Sequence, residues 1–248
     1  MSIKVNINNL KIKNKVILEN INIECLNGTL TAIIGRNGSG KSTLVNAIAS
    51  NTAYDGNIII DGKNILNISH NERAKHISFV FQNISTPHIK VKELVSFGRI
   101  PYTNNNNKLN QNDLDLINQA IKNSDTLDIQ DCYLDNISGG EIKKAYFGMI
   151  LSQNTKNIVL DEATSSMDKD NERKFLSLVK NITHKNNKCT LLIMHNIENA
   201  IRYCDNVLLL DSGKQIFFGK KEDILKTDLI EEHLNLERFT IHDEIFFK

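Results

Sequence analysis

The chain has no apolar run approaching the ~20 residues that span a bilayer, and no C-x-x-C pair among its four cysteines, Cys25, Cys132, Cys189 and Cys204. The first absence argues against a membrane-spanning protein. The second removes metal cages and dithiol redox motifs and leaves the cysteines as buried, reduced thiols. An excess of charge is also missing. The 30 Lys and Arg against 29 Asp and Glu leave a net charge of +1, which gives nucleic acid no electrostatic reason to bind. Only two prolines occur, Pro87 and Pro101. The start, Met1-Ser2-Ile3-Lys4-Val5-Asn6, alternates like a strand and lacks the apolar centre of a signal peptide. A soluble, cytosolic chain is expected, one that can still dock on a membrane protein. The 248 residues, 40% hydrophobic, suffice for one large α/β domain with a sizeable core, or one with an inserted subdomain.

Against these absences stands Gly35-Arg36-Asn37-Gly38-Ser39-Gly40-Lys41-Ser42-Thr43. It fits G-x-x-x-x-G-K-[ST], the phosphate-binding P-loop. Leu30-Thr31-Ala32-Ile33-Ile34 before it reads as a short buried strand, and Leu44-Val45-Asn46-Ala47-Ile48-Ala49 after it as a helix. Glycines let backbone N–H groups curl around a phosphate without a Cβ in the way. The helix N-terminus adds partial positive charge. Lys41 can reach β- and γ-phosphates, and the Ser42 hydroxyl can ligate Mg²⁺.

Residues 2–34 read as short strands, with turn signals at Asn8-Asn9 and Asn27-Gly28. Asp55-Gly56 and Asp61-Gly62 bracket a strand over 57–60, and His76–Phe81 reads as another, ending at Gln82. Residues 90–153 are helical in character. Val91, Leu94 and Val95 share a face, as do Leu114, Ile117 and Ile121, and the polar run 104–107 is expected as a solvated loop. After Gln153 strands at 157–160, 190–194 and 206–210 alternate with a helix whose face is Phe175, Leu178, Val179 and Ile182. This alternation argues for a mainly parallel sheet covered by helices. In the tail, 221–226 and 228–236 read as helices and 239–247 as a strand.

The second half narrows the chemistry. Asn157-Ile158-Val159-Leu160-Asp161-Glu162 is an apolar strand ending in two carboxylates. Asp161 stands where a P-loop protein needs a carboxylate directed at Mg²⁺. Glu162, one residue on, points differently and can hold an attacking water. Upstream, Ser138 can cap a helix running through Ser152, with Ile142, Ala145 and Met149 along one face. Gly139 and Gly140 permit close backbone approach to phosphate. Taken singly, each element has an ordinary structural reading as a turn, a cap or a strand end.

Together and in this order they make the chain resemble the ATP-binding subunit of an ABC transporter over nearly its whole length. The P-loop matches at 35–43. Gln82 matches the Q-loop glutamine, Ser138-Gly139-Gly140 the signature, and Asp161 and Glu162 the Walker B aspartate and catalytic glutamate. Ser165-Ser166-Met167-Asp168 matches the D-loop, and His195 the switch histidine. The resemblance implies an α/β fold: a RecA-like P-loop NTPase core (1–89 and 154–248) with an antiparallel β subdomain and an inserted α-helical subdomain (90–153). It implies ATP and Mg²⁺ as cofactors, with Ser42, Gln82 and Asp161 at the metal. Lys41, Gln82, Glu162 and His195 are expected to carry catalysis. Residues 35–43, Ser138, Gly139, Gly140 and Asp168 are expected on the nucleotide, in a head-to-tail homodimer. The further partners implied are integral membrane permease subunits and an extracytoplasmic solute-binding protein, with the chain held peripherally at the cytoplasmic face of the membrane.

Val91-Lys92-Glu93-Leu94-Val95-Ser96-Phe97-Gly98-Arg99-Ile100-Pro101-Tyr102 is similar to the V-x-x-G-R-x-P-Y segment of importers of iron–siderophores, haem and cobalamin. In those importers the region after the Q-loop receives a coupling helix of the permease, so part of the apolar set Ile84, Ile89, Val91 and Leu94 is expected to be exposed. The chain departs from the family pattern at three places. No aromatic precedes the P-loop, which leaves Ile12 or Val16 to pack on adenine. The signature ends in Glu141 rather than Gln, and its side chain is expected to turn away from phosphate; the basic residue expected three positions later is Lys144. Ala163 stands where importers more often carry Pro. The rival functions are an exporter ATPase, a soluble ABC-type ATPase without a transporter, and a catalytically inactive binding module; Glu162 and His195 oppose the last.

Overall fold

The computed structural model describes residues 2–248 apart from 83, 104–107, 166 and 242–243. The polar run 104–107 and Ser166 of the D-loop segment therefore lie outside the described residues. The strands are β1 (Ile3–Ile12), β2 (Lys15–Cys25), β3 (Leu30–Ile34), β4 (Asp55–Ile60), β5 (Lys63–Asn64), β6 (Ile77–Val80), β7 (Asn157–Leu160), β8 (Cys189–Ile193), β9 (Asn206–Asp211), β10 (Lys214–Lys220), β11 (Arg238–Ile241) and β12 (Glu244–Phe247). The α-helices are α1 (Lys41–Ile48), α2 (His70–Arg73), α3 (Val91–Ser96), α4 (Gln111–Asn123), α5 (Gly139–Gln153), α6 (Lys169–Lys185), α7 (Ile197–Tyr203), α8 (Lys221–Ile224) and α9 (Leu229–Leu234).

Ten strands form one sheet in the order β5-β4-β1-β2-β10-β9-β3-β8-β7-β6. From β9 to β6 neighbouring strands are parallel. From β5 to β2 they are antiparallel. β10 joins the two halves, parallel to β2 and antiparallel to β9. The sheet is thus half parallel rather than mainly so. In β3, Leu30, Ala32 and Ile34 face one core while Ile33 faces the other, as the two-residue period of a strand requires. The first core takes in α5 and α6, where Phe147 and Phe175 meet edge to face at 5.3 Å. The second packs Leu44, Val45 and Ile48 of α1 against the antiparallel half.

Local chemistry explains where the sequence expectations missed. The turn expected at Asn8-Asn9 does not form. Both residues lie within β1, at a register shift against β4, and their amides donate to Asp55 Oδ2 at 3.3 and 3.0 Å. The hairpin turns instead at Lys13-Asn14, both with positive φ (48° and 66°), as a two-residue primed turn demands. Asp55-Gly56 begins β4 instead of bracketing it, because a Cβ at Gly56 would stand 2.1 Å from the Asn6 carbonyl oxygen. Leu114 is exposed; Ala120 joins Ile117 and Ile121 inside, and the inward place in the first turn of α4 goes to Asp113. On α5 the most buried residues include Ala145, Phe147, Ile150 and Leu151, while Ile142 and Met149 are half-buried, since α3, α4 and β6 all pack on it. The tail forms two paired antiparallel strands, β11 and β12, where one strand was expected over 239–247. Cys132 is exposed, unlike the other three cysteines.

The segment marked by Gly98-Arg99 and Pro101-Tyr102 acts as a staple. A Cβ at Gly98 would lie 2.1 Å from the Met149 carbonyl oxygen, so only glycine lets this turn sit on α5. Arg99 donates through Nε to Asp113 Oδ1 at 2.9 Å and through Nη1 to the Ser152 carbonyl at 2.9 Å. Its guanidinium lies 4.0 Å from the centroid of the Tyr102 ring. One buried side chain thereby joins α4, the carboxyl end of α5 and the turn at Phe97–Tyr102. Val91 and Leu94, expected at a docking surface, are buried by the same packing, and Ile84 and Ile89 are half-buried. The most exposed apolar residues here are Phe97 and Ile100, at 45% and 55%.

Candidate functional site

β3 ends at Ile34 and the chain turns through Gly35 into the P-loop. A Cβ at Gly35 would stand 2.2 Å from the Leu210 carbonyl oxygen, and Gly40 (φ 100°) meets Leu18 Cδ2 in the same way at 2.5 Å. These two glycines let the loop lie flat on β9 and β2 and start α1 at Lys41. Gly38 (φ 79°) has open space where a Cβ would be. Lys41 Nζ donates to the Gly35 and Arg36 carbonyls at 2.8 and 3.0 Å. Burial pushes the Lys41 ammonium below its ordinary range, opposed by the charges of Glu162 and Asp161.

Parallel pairing of β7 between β6 and β8 delivers the other groups to the same end of the sheet, where open α/β sheets bind ligands. Ser42 Oγ donates to Asp161 Oδ1 at 3.4 Å. Burial, and then the neighbouring Glu162 charge, raises the Asp161 carboxyl above the usual carboxylate range. Gln82 Nε2 donates to Glu162 Oε2 at 2.7 Å. His195 Nε2 lies 2.7 Å from Glu162 Oε1. A cleft of about 560 Å³ is lined by Asn37, Gly38, Gly40, Lys41, Ser42, Thr43, Gln82, Glu162, His195 and Ile17. Gly35, Arg36, Ser39 and Asp161 lie outside that lining. Ser39 Oγ and Asp161 are buried close to it, and Ser39 Oγ has no hydrogen-bond partner.

Ser138, Gly139, Gly140 and Asp168 line no part of this cleft. Ser138 caps α5 and is exposed with Gly139. Asp168 caps α6, accepting from the Asn171 N–H at 2.8 Å, and that bond holds its carboxyl below the usual range. The Glu141 side chain folds back onto Ser138. Its Oε2 accepts from both the Ser138 N–H at 2.9 Å and the Ser138 hydroxyl at 2.7 Å, closing a capping box. These bonds hold the Glu141 carboxyl below its ordinary range, the hydroxyl first. Lys144 pairs with Asp125 at 2.6 Å.

The sequence reading missed two residues. Ile17 lines the cleft, whereas Ile12 and Val16, expected on the adenine, are 44% and 46% exposed and line no part of it. Adjacent strand residues face opposite sides, so Val16 and Ile17 could be told apart only once the hairpin register was known. Lys143 is buried beneath the loop that follows β7; a lysine inside a helix gives no sequence signal of that placement.

The P-loop at the carboxyl end of a parallel sheet, with paired carboxylates, a glutamine and a histidine converging on it, defines a P-loop ATPase. The chain belongs to the ABC transporter family, whose profile matches residues 18–165, and it is an ATP-binding, ATP-hydrolysing subunit of such a transporter. It is 35% identical over 220 residues to the petrobactin import ATP-binding protein YclP of Bacillus subtilis, covering 88% of this chain and 86% of that protein. It is 30% identical to the ferric enterobactin transport ATP-binding protein FepC of Escherichia coli, covering 92% and 85%. Its fold matches a metal-chelate type ABC transporter in an inward-facing conformation, with a TM-score of 0.84, 22% identity and coverage of 99% and 95%.

Proposed function

We propose that this chain powers uptake of an iron–siderophore complex through a separate membrane permease. The observation that carries the proposal is the cleft in which Lys41, Ser42, Gln82, Glu162 and His195 meet, in a chain whose relatives include proteins named for petrobactin and ferric enterobactin import. Deleting the gene and measuring uptake of ⁵⁵Fe-loaded catecholate and hydroxamate siderophores tests it. Loss of uptake of one class, restored by the wild-type chain and not by a Glu162→Gln variant, is expected. Unchanged uptake of every siderophore tried would overturn it.

Each nucleotide is held by the P-loop of one copy and by Ser138, Gly139, Gly140 and Asp168 of a second, head to tail. The exposed signature, standing outside its own cleft, supports this arrangement. Backbone N–H groups of 35–43 and the Lys41 ammonium offset phosphate charge. The residues present also fit Mg²⁺: the Ser42 hydroxyl and Asp161 carboxylate lie side by side, with Gln82 at the cleft. Few protein ligands suffice where phosphates supply the rest. When bound, the ion neutralises charge on the phosphates. Glu162 polarises the attacking water. His195 contacts the γ-phosphate region and senses its loss.

Residues 90–153 act as a helical subdomain that moves with Gln82. The permease docks on the turn that exposes Phe97 and Ile100. Among the described residues no helix is long and apolar enough to cross a membrane. On this reading the permease holds the chain at the cytoplasmic face, and an extracytoplasmic binding protein delivers the solute.

A further inference from the structure

Glu162 sits on an unusual backbone. Its φ is 52°, left-handed for a residue with a side chain, a conformation that persists only where its surroundings over-determine it. The over-determining contacts come from an amine. Lys143 Nζ donates to the Glu162 carbonyl at 3.1 Å, to Ser165 Oγ at 2.7 Å and to the Ser165 carbonyl. An ammonium has three protons, and all three point into this one loop. Lys143 is 8% exposed. The loop also bonds to itself: the Ser165 N–H donates to the Glu162 carbonyl at 3.1 Å, and Ser165 Oγ donates to it at 2.9 Å. The Glu162 carbonyl thus accepts three donors that fix its peptide plane. Lys143 belongs to α5, whose cap is Ser138. The amine therefore ties the helix that presents the signature to the loop that presents Glu162.

We infer that Lys143 is a positioning residue for ATP hydrolysis, clamping the loop after β7 so that the Glu162 carboxylate is held toward Gln82 and His195. The inference rests on Glu162 being the residue that polarises water. Lys143 lines no part of the cleft and acts through the backbone.

The test compares Lys143→Met, Lys143→Gln and Ser165→Ala in the full-length protein, alone and combined with Glu162→Gln. Readouts are single-turnover ATP hydrolysis, fluorescent-nucleotide affinity and the melting temperature. Lys143→Met is expected to lower turnover about 10- to 100-fold, the range for misplacing a catalytic group by ~1 Å, with ATP affinity within about twofold of wild type. Lys143→Gln, which keeps two donors, is expected to retain more activity than Lys143→Met. Ser165→Ala, which removes one acceptor of the lysine and one donor to the Glu162 carbonyl but leaves the lysine in place, is expected to lose less than Lys143→Met. In the Glu162→Gln background, Lys143→Met is expected to slow hydrolysis by less than about twofold, because the group it positions is already lost. Equal losses in both backgrounds, or wild-type turnover in Lys143→Met, would overturn the inference while leaving Glu162 in place. Wild-type turnover in Glu162→Gln alone would overturn the role of Glu162 instead. Should Lys143→Met fail to fold, Lys143→Gln and Ser165→Ala carry the same comparison, and full activity in both overturns the clamp.

Discussion

Glu162 is shared between Gln82 and His195, one carboxylate oxygen each: Gln82 Nε2 donates to Oε2 at 2.7 Å, and His195 Nε2 stands 2.7 Å from Oε1. Residues following β6 and β8 thus meet on the side chain of a residue following β7. On the proposed function, a water polarised by this carboxylate would lie beside both neighbours, linking hydrolysis to the loops that carry Gln82 and His195. Glu162→Gln is expected to slow hydrolysis by ~10²-fold or more while ATP still binds. With ATP, the variant should run as a dimer on size exclusion. Near-wild-type turnover would remove Glu162 from the mechanism.

Ser138 lies outside the cleft of its own chain and is exposed. Ser138→Arg is therefore expected to leave ATP binding by the monomer intact and to abolish hydrolysis. Calorimetry and a phosphate-release assay on the same preparation measure both. Normal hydrolysis would rule out the head-to-tail dimer.

Arg99 answers the buried Asp113 carboxylate at 2.9 Å and the open carboxyl end of α5. Removing one partner of a buried pair leaves an uncompensated charge, which costs about 3–5 kcal/mol. Arg99→Ala should lose stability of that order in urea unfolding. An effect below about 1 kcal/mol, the range of an exposed pair, would show that the staple carries little.

Lys188 is buried, with its Nζ on the Thr155 carbonyl at 2.5 Å. Burial pushes its ammonium from an ordinary value near 10.5 down to about 8. Between those values the unfolded chain holds the proton and the folded chain does not, so stability rises with pH across that window. Below it, folding carries a penalty of roughly 3 kcal/mol. Lys188→Met should be more stable than wild type near pH 7, less about 1 kcal/mol for the unpartnered Thr155 carbonyl. The advantage should shrink as pH climbs through 8 toward 10. A pH-independent difference in urea midpoints would contradict the burial argument.

Phe97 and Ile100 are exposed on the turn that Gly98 seats on α5. Asp at either position is expected to cut siderophore uptake while ATP hydrolysis by the purified chain stays within about twofold of wild type, because neither residue lines the nucleotide cleft. Cysteines placed at the two positions should cross-link to a permease loop. Full uptake with no cross-link would move the docking surface elsewhere.

The nucleotide chemistry was legible in the sequence because it is local. The P-loop needs glycines at set spacings, the carboxylates follow an apolar strand, and Gln82 and His195 end strands of their own, so the order of motifs along the chain carried the family and the α/β class. The strands β7, β8 and β9 were also legible, as apolar runs between polar turns. What only tertiary structure decided depends on packing between distant segments. Asn8-Asn9 became a bulge because Asp55 lies opposite. Glu141 stays on Ser138 because a capping box satisfies two orphan N–H groups at once. Val91 and Leu94 turned inward because Gly98 and Arg99 draw their segment onto α5. Ile17 reached the cleft through a register that no single strand reveals. Lys143, one charged residue among several on α5, was placed beneath Glu162 by the approach of that helix to the loop after β7, and a long-range contact of this kind leaves no local pattern to read.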